Sequence, residues 1–294
     1  MSERLSGVAV VGSANLDLVV EVARPPRVGE TLLGRAAGRF PGGKGLNQAV
    51  ASARSGAPTR FCGVVGADEA GDLLQRTLTD AGVDGLVRRT DAAPTGVAHV
   101  FALEGGDNSI VVAAGANAEL AAEDAAADVA GAAVVLAQLE VPAASVAAAL
   151  RAARVAGALT LLNAAPAAAR ALDLLGDVDV LIVNETECEE LGGVDALHAA
   201  GAAIVVLTRG ADGVELHRRG AEVAHVPAFS IVPVDTTGAG DAFCGALAAT
   251  LAAGAPIEDA LVTASAAGAI VAQHQGANTP ALTPEALRTM VATR

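Results

Sequence analysis

The residues best placed to do chemistry stand in the stretch VDTTGAGDAF, residues 234–243. Gly238, Ala239, Gly240 and Asp241 fall where an Ala-rich helical pattern follows a run of apolar residues. We expect a helix to begin near Ala239, with free N–H groups and a partial positive charge in its first turn. Because the glycines carry no side chain, a phosphate group could contact this backbone directly.

Asp241 could then act as a general base beside an anion hole. It would accept the proton of a substrate hydroxyl while the backbone dipoles neutralise charge on a transferred phosphoryl group. The alternative is that Asp241 is only an acid favoured at a helix N-terminus and that the glycines only make the turn. The residues of this stretch leave both interpretations open.

A second glycine cluster, PGGKGLNQAVASARSGA at 41–57, also opens a predicted helix. It is not a P-loop, because no Gly lies five residues before the Gly-Lys pair and no Ser or Thr follows Lys44. Backbone N–H groups at Gly42 and Gly43, the amine of Lys44 and the amide of Asn47 suit a neutral polyhydroxyl ligand instead.

Polar side chains follow several predicted strands. Asn15 and Asp17 come after the first strand, where Asp17 could accept two hydroxyl hydrogens and hold a vicinal diol. The alternative for both residues is a turn with local side-chain hydrogen bonds. Glu140 ends the stretch VVLAQLE just before Pro142.

Two further segments suit a nucleotide and its metal ion. In NETE (184–187), Glu185 and Glu187 could bind a hydrated Mg²⁺, although a solvated acidic helix start would look the same. In TRGADG (208–213), Thr208 and the glycines could contact a nucleotide, although the segment could also be an ordinary turn. Nearly all of these candidates fall at the carboxyl ends of predicted strands, where open α/β sheets bind ligands.

Short β-branched runs alternate with Ala- and Leu-rich helical stretches along the chain. Their continuous hydrophobicity predicts strands buried on both faces, as in a doubly wound, mostly parallel sheet. The predicted strands are 8–12, 60–66, 133–139, 159–163, 179–184 and 203–208, and the predicted helices include 44–55, 69–81, 143–156 and 194–201. Residues 15–40 and 95–113 instead alternate apolar and polar residues, and the second segment indicates a hairpin around Gly105-Gly106. Together they predict a small antiparallel sheet that forms a lid on a single domain, 1–294.

Composition narrows the possible partners. The 294 residues carry a net charge of −14, and aromatic residues make up only 2%. The acidic surface disfavours nucleic acids and anionic membranes as partners, and any phosphate site must be local. Cys62, Cys188 and Cys244 predict buried free thiols in a reducing compartment, and the N-terminus shows no signal peptide, which favours the cytoplasm.

The whole chain resembles the ribokinase branch of the PfkB carbohydrate kinase family. The specific motifs are GSANLDLVV, PGGKGLNQAVA, PTGVAHVF, GANA, QLEVP, NETE, TRGADG and, above all, DTTGAGDAF. The resemblance implies a ribokinase-like three-layer α/β/α domain with a small β lid. It also implies ATP-dependent phosphorylation of a sugar's primary hydroxyl, with Mg²⁺ and a monovalent cation, commonly K⁺, in a homodimer joined through its lids.

The resemblance also implies individual roles. Asp241 would be the base and 238–241 the anion hole, and the other roles fall on the following residues: sugar contacts at Asn15, Asp17, Gly42, Gly43, Lys44, Asn47 and Glu140; nucleotide contacts at Asn184, Thr208, Gly210, Ala211, Asp212, Gly213 and Gly240; Mg²⁺ at Glu187; the monovalent cation at Asp235, Thr237 and Gly276. Two departures stand out: Arg209 replaces a usual apolar residue, and HQGANTP (274–280) lacks the usual Ser or Thr after its proline, where later cation ligands are expected.

The leading functional prediction is phosphorylation of D-ribose at its 5-hydroxyl. Other members of the family act on nucleosides such as adenosine or pseudouridine, on deoxyribose or on ketohexoses, and the shortage of aromatic residues disfavours nucleosides. A sugar-binding sensor would not need Asp241. A dinucleotide oxidoreductase would need a GxGxxG pattern after the first strand, where VVGSANLD supplies only Gly12.

Overall fold

The computed structural model describes residues 6–103 and 108–294. The strands in these residues are β1 Val8–Val11, β2 Asn15–Val22, β3 Arg35–Gly42, β4 Thr59–Gly66, β5 Asp84–Thr90, β6 Gly96–Leu103, β7 Asn108–Ala113, β8 Val134–Ala137, β9 Leu159–Asn163, β10 Val180–Asn184, β11 Ile204–Thr208, β12 Val214–Arg218 and β13 Ala224–Val226. All six predicted core strands are present, with ends shifted by at most two residues.

The helices follow the sequence pattern equally well. They are α1 Lys44–Arg54, α2 Glu69–Asp80, α3 Ala122–Asp128, α4 Ala143–Ala156, α5 Glu185–Glu190, α6 Gly193–Ala200, α7 Ala239–Ala252, α8 Ile257–Ala272 and α9 Pro284–Val291. Short 3₁₀ turns lie at Gly115–Glu119, Ala169–Asp177 and Gly210–Asp212. The predicted helix start at Ala239 is confirmed.

The central sheet has the strand order β13-β12-β11-β10-β9-β8-β1-β4-β5 in the described residues. The strands from β11 to β5 are parallel, and β12 and β13 add an antiparallel edge. The chain leaves β1 toward β4 on one side and later returns to β8 on the other. This makes β1 the topological switch point, where the loops diverge and leave a crevice for ligands.

Both faces of the sheet are buried, which explains the uninterrupted hydrophobicity of its strands. In β1, Ala9 and Val11 pack into the core layer that includes α4, whereas Val8 and Val10 pack into the layer that includes α1 and α7. The predicted three-layer α/β/α arrangement is confirmed. Because aliphatic side chains pack against both faces of the sheet, the carboxyl ends of its strands, which carry the predicted site residues, are held in fixed positions.

A second sheet, with the order β3-β2-β6-β7, forms the lid. Its two hairpins are antiparallel, as predicted, but β2 and β6 join them by parallel pairing over Asn15–Val22. The parallel pair arises because β2 and β6 both leave the core sheet at its carboxyl edge and run outward together. The predicted turn at Gly105-Gly106 lies outside the described residues.

Two expectations from composition can be compared with the described residues. Cys62, Cys188 and Cys244 are free and buried, as predicted. Within residues 6–103 and 108–294, no helix combines the length and the apolar character needed to cross a membrane.

Candidate active site

Three adjoining cavities lie at the carboxyl edge of the central sheet. One of about 660 Å³ opens beneath the lid, and another of about 750 Å³ lies beyond the start of α7. A smaller cavity of about 210 Å³ shares Gly238 and Asp241 with the first and Gly240 with the second. The start of α7 therefore stands between two spaces, each large enough for a small ligand.

The backbone at the start of α7 is bare on one side. Gly238 adopts a left-handed conformation with φ of 77°, and a Cβ there would lie 2.3 Å from the Cβ of Ala277. A Cβ on Gly240, in contrast, would meet no atom of the described residues within 4 Å. Gly238 is thus required by the turn, whereas the space over Gly240 is free for a ligand to reach the N–H groups of the helix.

Asp241 is held by two amides from α1. Asn47 Nδ2 donates to its Oδ2 at 3.0 Å, and Gln48 Nε2 donates to its Oδ1 at 2.9 Å. Burial raises the pKa of the Asp241 carboxyl, while the charge of Lys44 and the two amide donors oppose that rise. Each carboxylate oxygen keeps a lone pair for a further donor such as a substrate hydroxyl.

Asp17 and Glu140 face the same cavity as Asp241. Burial, with the charges of Glu140 and Asp241, raises the pKa of Asp17 to about 7. Burial lowers the pKa of the Lys44 amine. The negative charges of Asp241, Glu140 and Glu187 outweigh this effect, so the pKa is raised. The cavity beneath the lid therefore combines several hydroxyl acceptors with one fixed cation.

The glycines and Asn15 shape the floor of this cavity. A Cβ on Gly42 would lie 2.1 Å from Asp17 Oδ2, and Gly43 has φ of 90° and would bring a Cβ within 2.8 Å of the Asn15 backbone N. The Asn15 side chain accepts a hydrogen bond from Asn117 Nδ2 at 2.7 Å. Gly42 is thus placed under Asp17 rather than at the cavity wall, whereas Asn15, Gly43, Lys44 and Asn47 line it.

The cavity of about 750 Å³ is lined by residues at the carboxyl ends of β10 and β11. Asn184 and Thr208 are register partners at those ends, and both line the cavity with Gly210, Ala211, Gly213 and Gly240. Asp212 lies next to them but is not among the lining residues. Arg209 points away and pairs with Glu215 and Glu185, so the unusual residue of this loop ties β12 to α5.

Glu187 lines the small cavity between the two larger ones. It completes a capping box with Asn184, in which Glu187 Oε2 accepts the Asn184 N–H at 2.9 Å. The structure therefore shows the helix start in NETE, and the same carboxylate lies at the small cavity beside the start of α7. Residues 6–103 and 108–294 contain no cluster of three or more His, Cys, Asp or Glu side chains that could hold a metal ion. A single carboxylate fits Mg²⁺, which keeps several waters and binds substrate phosphates.

Asp235 ties together the loop before α7. Its two carboxylate oxygens accept N–H groups from Thr237 and Gly276, each at 2.9 Å. These bonds outweigh the effect of burial and lower the pKa of Asp235, so it stays ionised. A hard monovalent cation prefers carboxylate, hydroxyl and carbonyl oxygens as ligands. Asp235, Thr237 and Gly276, which the resemblance assigns to such a cation, can offer these three types of oxygen.

Comparison with known proteins decides the family. Residues 6–284 match the model of the pfkB family carbohydrate kinases. The chain belongs to this family. It is 34% identical over 284 residues to a ribokinase of Haemophilus influenzae, across 91% of this chain and 92% of that protein. It is 37% identical over 259 residues to a deoxyribokinase of Salmonella typhi, across 82% of this chain and 84% of that protein.

Comparison with solved structures supports the same family. The fold is similar to that of Arabidopsis thaliana ribokinase complexed with ribose and ATP, with a TM-score of 0.84, 31% identity and coverage of 97% of this chain and 98% of that one. The predicted family and ribokinase-like fold are therefore confirmed, and the protein is a carbohydrate kinase.

Several polar residues of this pfkB-family site were not identified from sequence. They are Ser13, Gln48, Asn117, Asn163 and Asn278. Ser13 donates to Glu140 Oε2 at 2.5 Å, and Asn278 Nδ2 donates to both Asn47 Oδ1 and the Pro41 carbonyl. Ser13 and Asn117 stand inside quoted motifs, but no spacing rule marks them, since their partners lie about a hundred residues away in the chain.

Proposed function

We propose that this protein is a ribokinase that transfers the γ-phosphoryl group of ATP to the 5-hydroxyl of D-ribose. The observation that carries this is the position of Asp241, which lines both the cavity beneath the lid and the small cavity at the open backbone of Gly240. An alcohol and a phosphoryl group could approach the start of α7 from opposite sides and meet in line there.

The proposed reaction uses residues of both sides. Asp17 holds two sugar hydroxyls, Asp241 accepts the proton of the attacking hydroxyl, and the oxygen bonds to phosphorus as the bond to ADP breaks. The N–H groups of 238–241 take up charge on the phosphoryl oxygens. Asn184, Thr208 and the glycines at 210 and 213 hold the nucleotide, and the lid closes over the sugar to exclude water.

Replacing Asp241 tests the proposal directly. We expect Asp241→Asn to lower kcat by at least about 100-fold, the range that general-base catalysis contributes, while ribose and an ATP analogue still bind. Steady-state ADP production and isothermal calorimetry measure the two effects. Near-normal turnover by this variant would remove Asp241 from the role of base.

Deoxyribose is the closest competing substrate, because the Salmonella relative is a deoxyribokinase. Ribose offers Asp17 a vicinal diol, whereas deoxyribose lacks one of its hydroxyls and leaves an acceptor unpaired, which costs affinity. We therefore expect kcat/KM to be higher for ribose in a panel with deoxyribose, fructose, adenosine and pseudouridine. A preference for any of these over ribose would reassign the substrate.

The proposed cofactors are Mg²⁺ at Glu187 and a monovalent cation, K⁺, at Asp235, Thr237 and Gly276. When bound, Mg²⁺ would neutralise charge on the phosphates, and K⁺ would hold the loop that precedes the anion hole. Titrating activity with MgCl₂, and comparing KCl with the chloride of a large organic cation at equal ionic strength, tests both assignments.

We also propose that the protein forms a homodimer through its lids and works in the cytoplasm. On β7, Ile110 lines the cavity beneath the lid, whereas Val111 faces the other side of the sheet and is 58% exposed, as an apolar side chain at a protein interface would be. The free thiols suit a reducing compartment. Sedimentation of the protein and of a Val111→Lys variant would show whether the lid joins two copies.

A further inference from the structure

A chain of buried amides runs from the centre of the sheet to Asp241. Gln138, directly after β8, donates from Nε2 to Gln48 Oε1 at 2.5 Å. Gln48, on α1, donates from its own Nε2 to Asp241 Oδ1 at 2.9 Å and to Asn163 Oδ1 at 3.0 Å. Gln48 and Gln138 have no solvent exposure, so water does not compete for these bonds.

The direction of each amide in this chain is fixed by its partners. Asn163, at the end of β9, donates from Nδ2 to the Ile182 carbonyl at 3.3 Å, which turns its oxygen toward Gln48. Because Gln48 Oε1 accepts from Gln138, its N–H₂ group must face Asp241. A reversed Gln48 would place its oxygen against the carboxylate and lose all three bonds.

Gln138 packs closely against Gly12, the residue that follows β1. A Cβ on Gly12 would lie 1.9 Å from Gln138 Oε1, so the missing side chain at residue 12 makes room for this amide. Within residues 6–103 and 108–294, the buried Gln138 Oε1 has no hydrogen-bond partner. An unsatisfied buried acceptor costs free energy, which is tolerated when the donor at the other end of the amide is needed.

We propose that Gln48 and Gln138 are positioning residues that orient the Asp241 carboxylate toward the attacking hydroxyl and keep it ready to accept a proton. This inference rests on the proposed role of Asp241 as the base. The two glutamines touch neither substrate nor nucleotide, because neither lines the cavities that would hold them. Their effect on the reaction passes only through the carboxylate.

The charged groups that face Asp241 explain why a neutral hydrogen-bond donor is needed to stabilise its ionised carboxylate. Lys44 attracts a negative charge there, whereas Asp17, Glu140 and Glu187 repel it, and the buried Cys244 lies on the same helix. Gln48 is a neutral donor that favours the ionised carboxylate without adding charge to a crowded site. It also restricts rotation of the carboxylate, which a point charge on Lys44 would not do.

The test compares Gln48→Met and Gln138→Met, which keep length and volume but remove the amides. We expect Gln48→Met to lower kcat about 10- to 100-fold, with KM for ATP nearly unchanged, and to move the acidic limb of the kcat profile to higher pH. Gln138→Met should change kcat and the acidic limb in the same direction by a smaller amount. Ser52→Ala is the matched control, since it removes a buried hydrogen bond from α1 to Thr59 and should leave kcat and the pH profile unchanged.

The outcomes separate this inference from the proposed function. If Asp241→Asn is inactive but both methionine variants keep wild-type kcat and pH limb, the positioning role is wrong and the base stands. If Asp241→Asn stays active, the proposed function fails first. If Gln48→Met does not fold, as judged by thermal unfolding, Gln138→Met decides, because it reaches Asp241 only through Gln48.

Discussion

The Asp17 carboxylate lies directly over Gly42, so that a Cβ at residue 42 would sit 2.1 Å from Asp17 Oδ2. Asn15 and Gly42 are register partners in the lid sheet, as are Asp17 and Phe40. The absence of a side chain at residue 42 therefore sets the height of the carboxylate above the lid strand.

We predict that Gly42→Ala displaces Asp17 and raises KM for ribose about tenfold or more, with the affinity for ATP analogues unchanged. Steady-state kinetics with varied ribose and calorimetry with the analogue measure the two effects. Gly176→Ala is the control, since a Cβ there meets no atom within 4 Å in the part of the chain that the structure describes. Unchanged KM in Gly42→Ala would show that Asp17 does not hold the sugar.

Gly240→Ala should separate stability from catalysis. Its Cβ meets no protein atom within 4 Å and lies in the first turn of α7, where Ala favours a helix more than Gly by up to about 1 kcal/mol. We expect an equal or higher midpoint of thermal unfolding but a loss of about tenfold or more in kcat/KM for ATP, because the methyl group would occupy the space of a phosphate. Full activity would mean that the phosphoryl group does not approach this backbone.

Sugar binding should depend on pH through Asp17, whose pKa is raised to about 7. Only the ionised carboxylate can accept two hydroxyl hydrogens, so KM for ribose should rise as pH falls below about 7, by up to about tenfold per pH unit. Asp17→Asn should bind ribose weakly at every pH. A KM for the wild-type protein that stays constant between about pH 6 and pH 8 would contradict this.

Asp17 should also make the free energy of unfolding of the protein without sugar depend on pH. The folded state keeps a proton on Asp17 up to about pH 7, whereas the unfolded chain releases it near 3.8. The unfolded state thus binds fewer protons between these values, and the free energy of unfolding should fall as pH rises through this window, by up to about 4 kcal/mol. Urea unfolding of Asp17→Asn should lack this part of the decline. Identical pH dependence in both proteins would argue against the raised pKa.

Glu187→Gln should weaken the use of Mg²⁺ without disrupting α5. A glutamine oxygen can still accept the Asn184 N–H of the capping box, but it has no charge for the metal. We expect the MgCl₂ concentration for half-maximal activity to rise about tenfold and the unfolding midpoint to change little. Glu189→Gln, in the same helix and exposed, is the control. An unchanged Mg²⁺ requirement would exclude Glu187 as its ligand.

Most of the central sheet could be predicted from local sequence patterns. The β-branched runs predicted every parallel strand from β1 to β11 except β5, because burial on both faces leaves an uninterrupted apolar signal. The strands β5, β12 and β13 were missed, since DGLVRRT and VELHR mix charged residues with apolar ones. Glycines that serve a turn or a close approach, such as Gly43 and Gly238, also stood out in the sequence.

The contacts among the polar residues of the site, in contrast, could not be predicted from local sequence patterns. Gln48 and Asp241 are 193 positions apart, and Asn47 and Asn278 are 231 apart, so no local pattern could pair them. The parallel joining of β2 and β6 was equally hidden, because each strand shows only its own alternation. Side-chain chemistry can be identified from one stretch of chain, but a carboxylate's orientation and pKa depend on groups that the fold brings from other helices and strands.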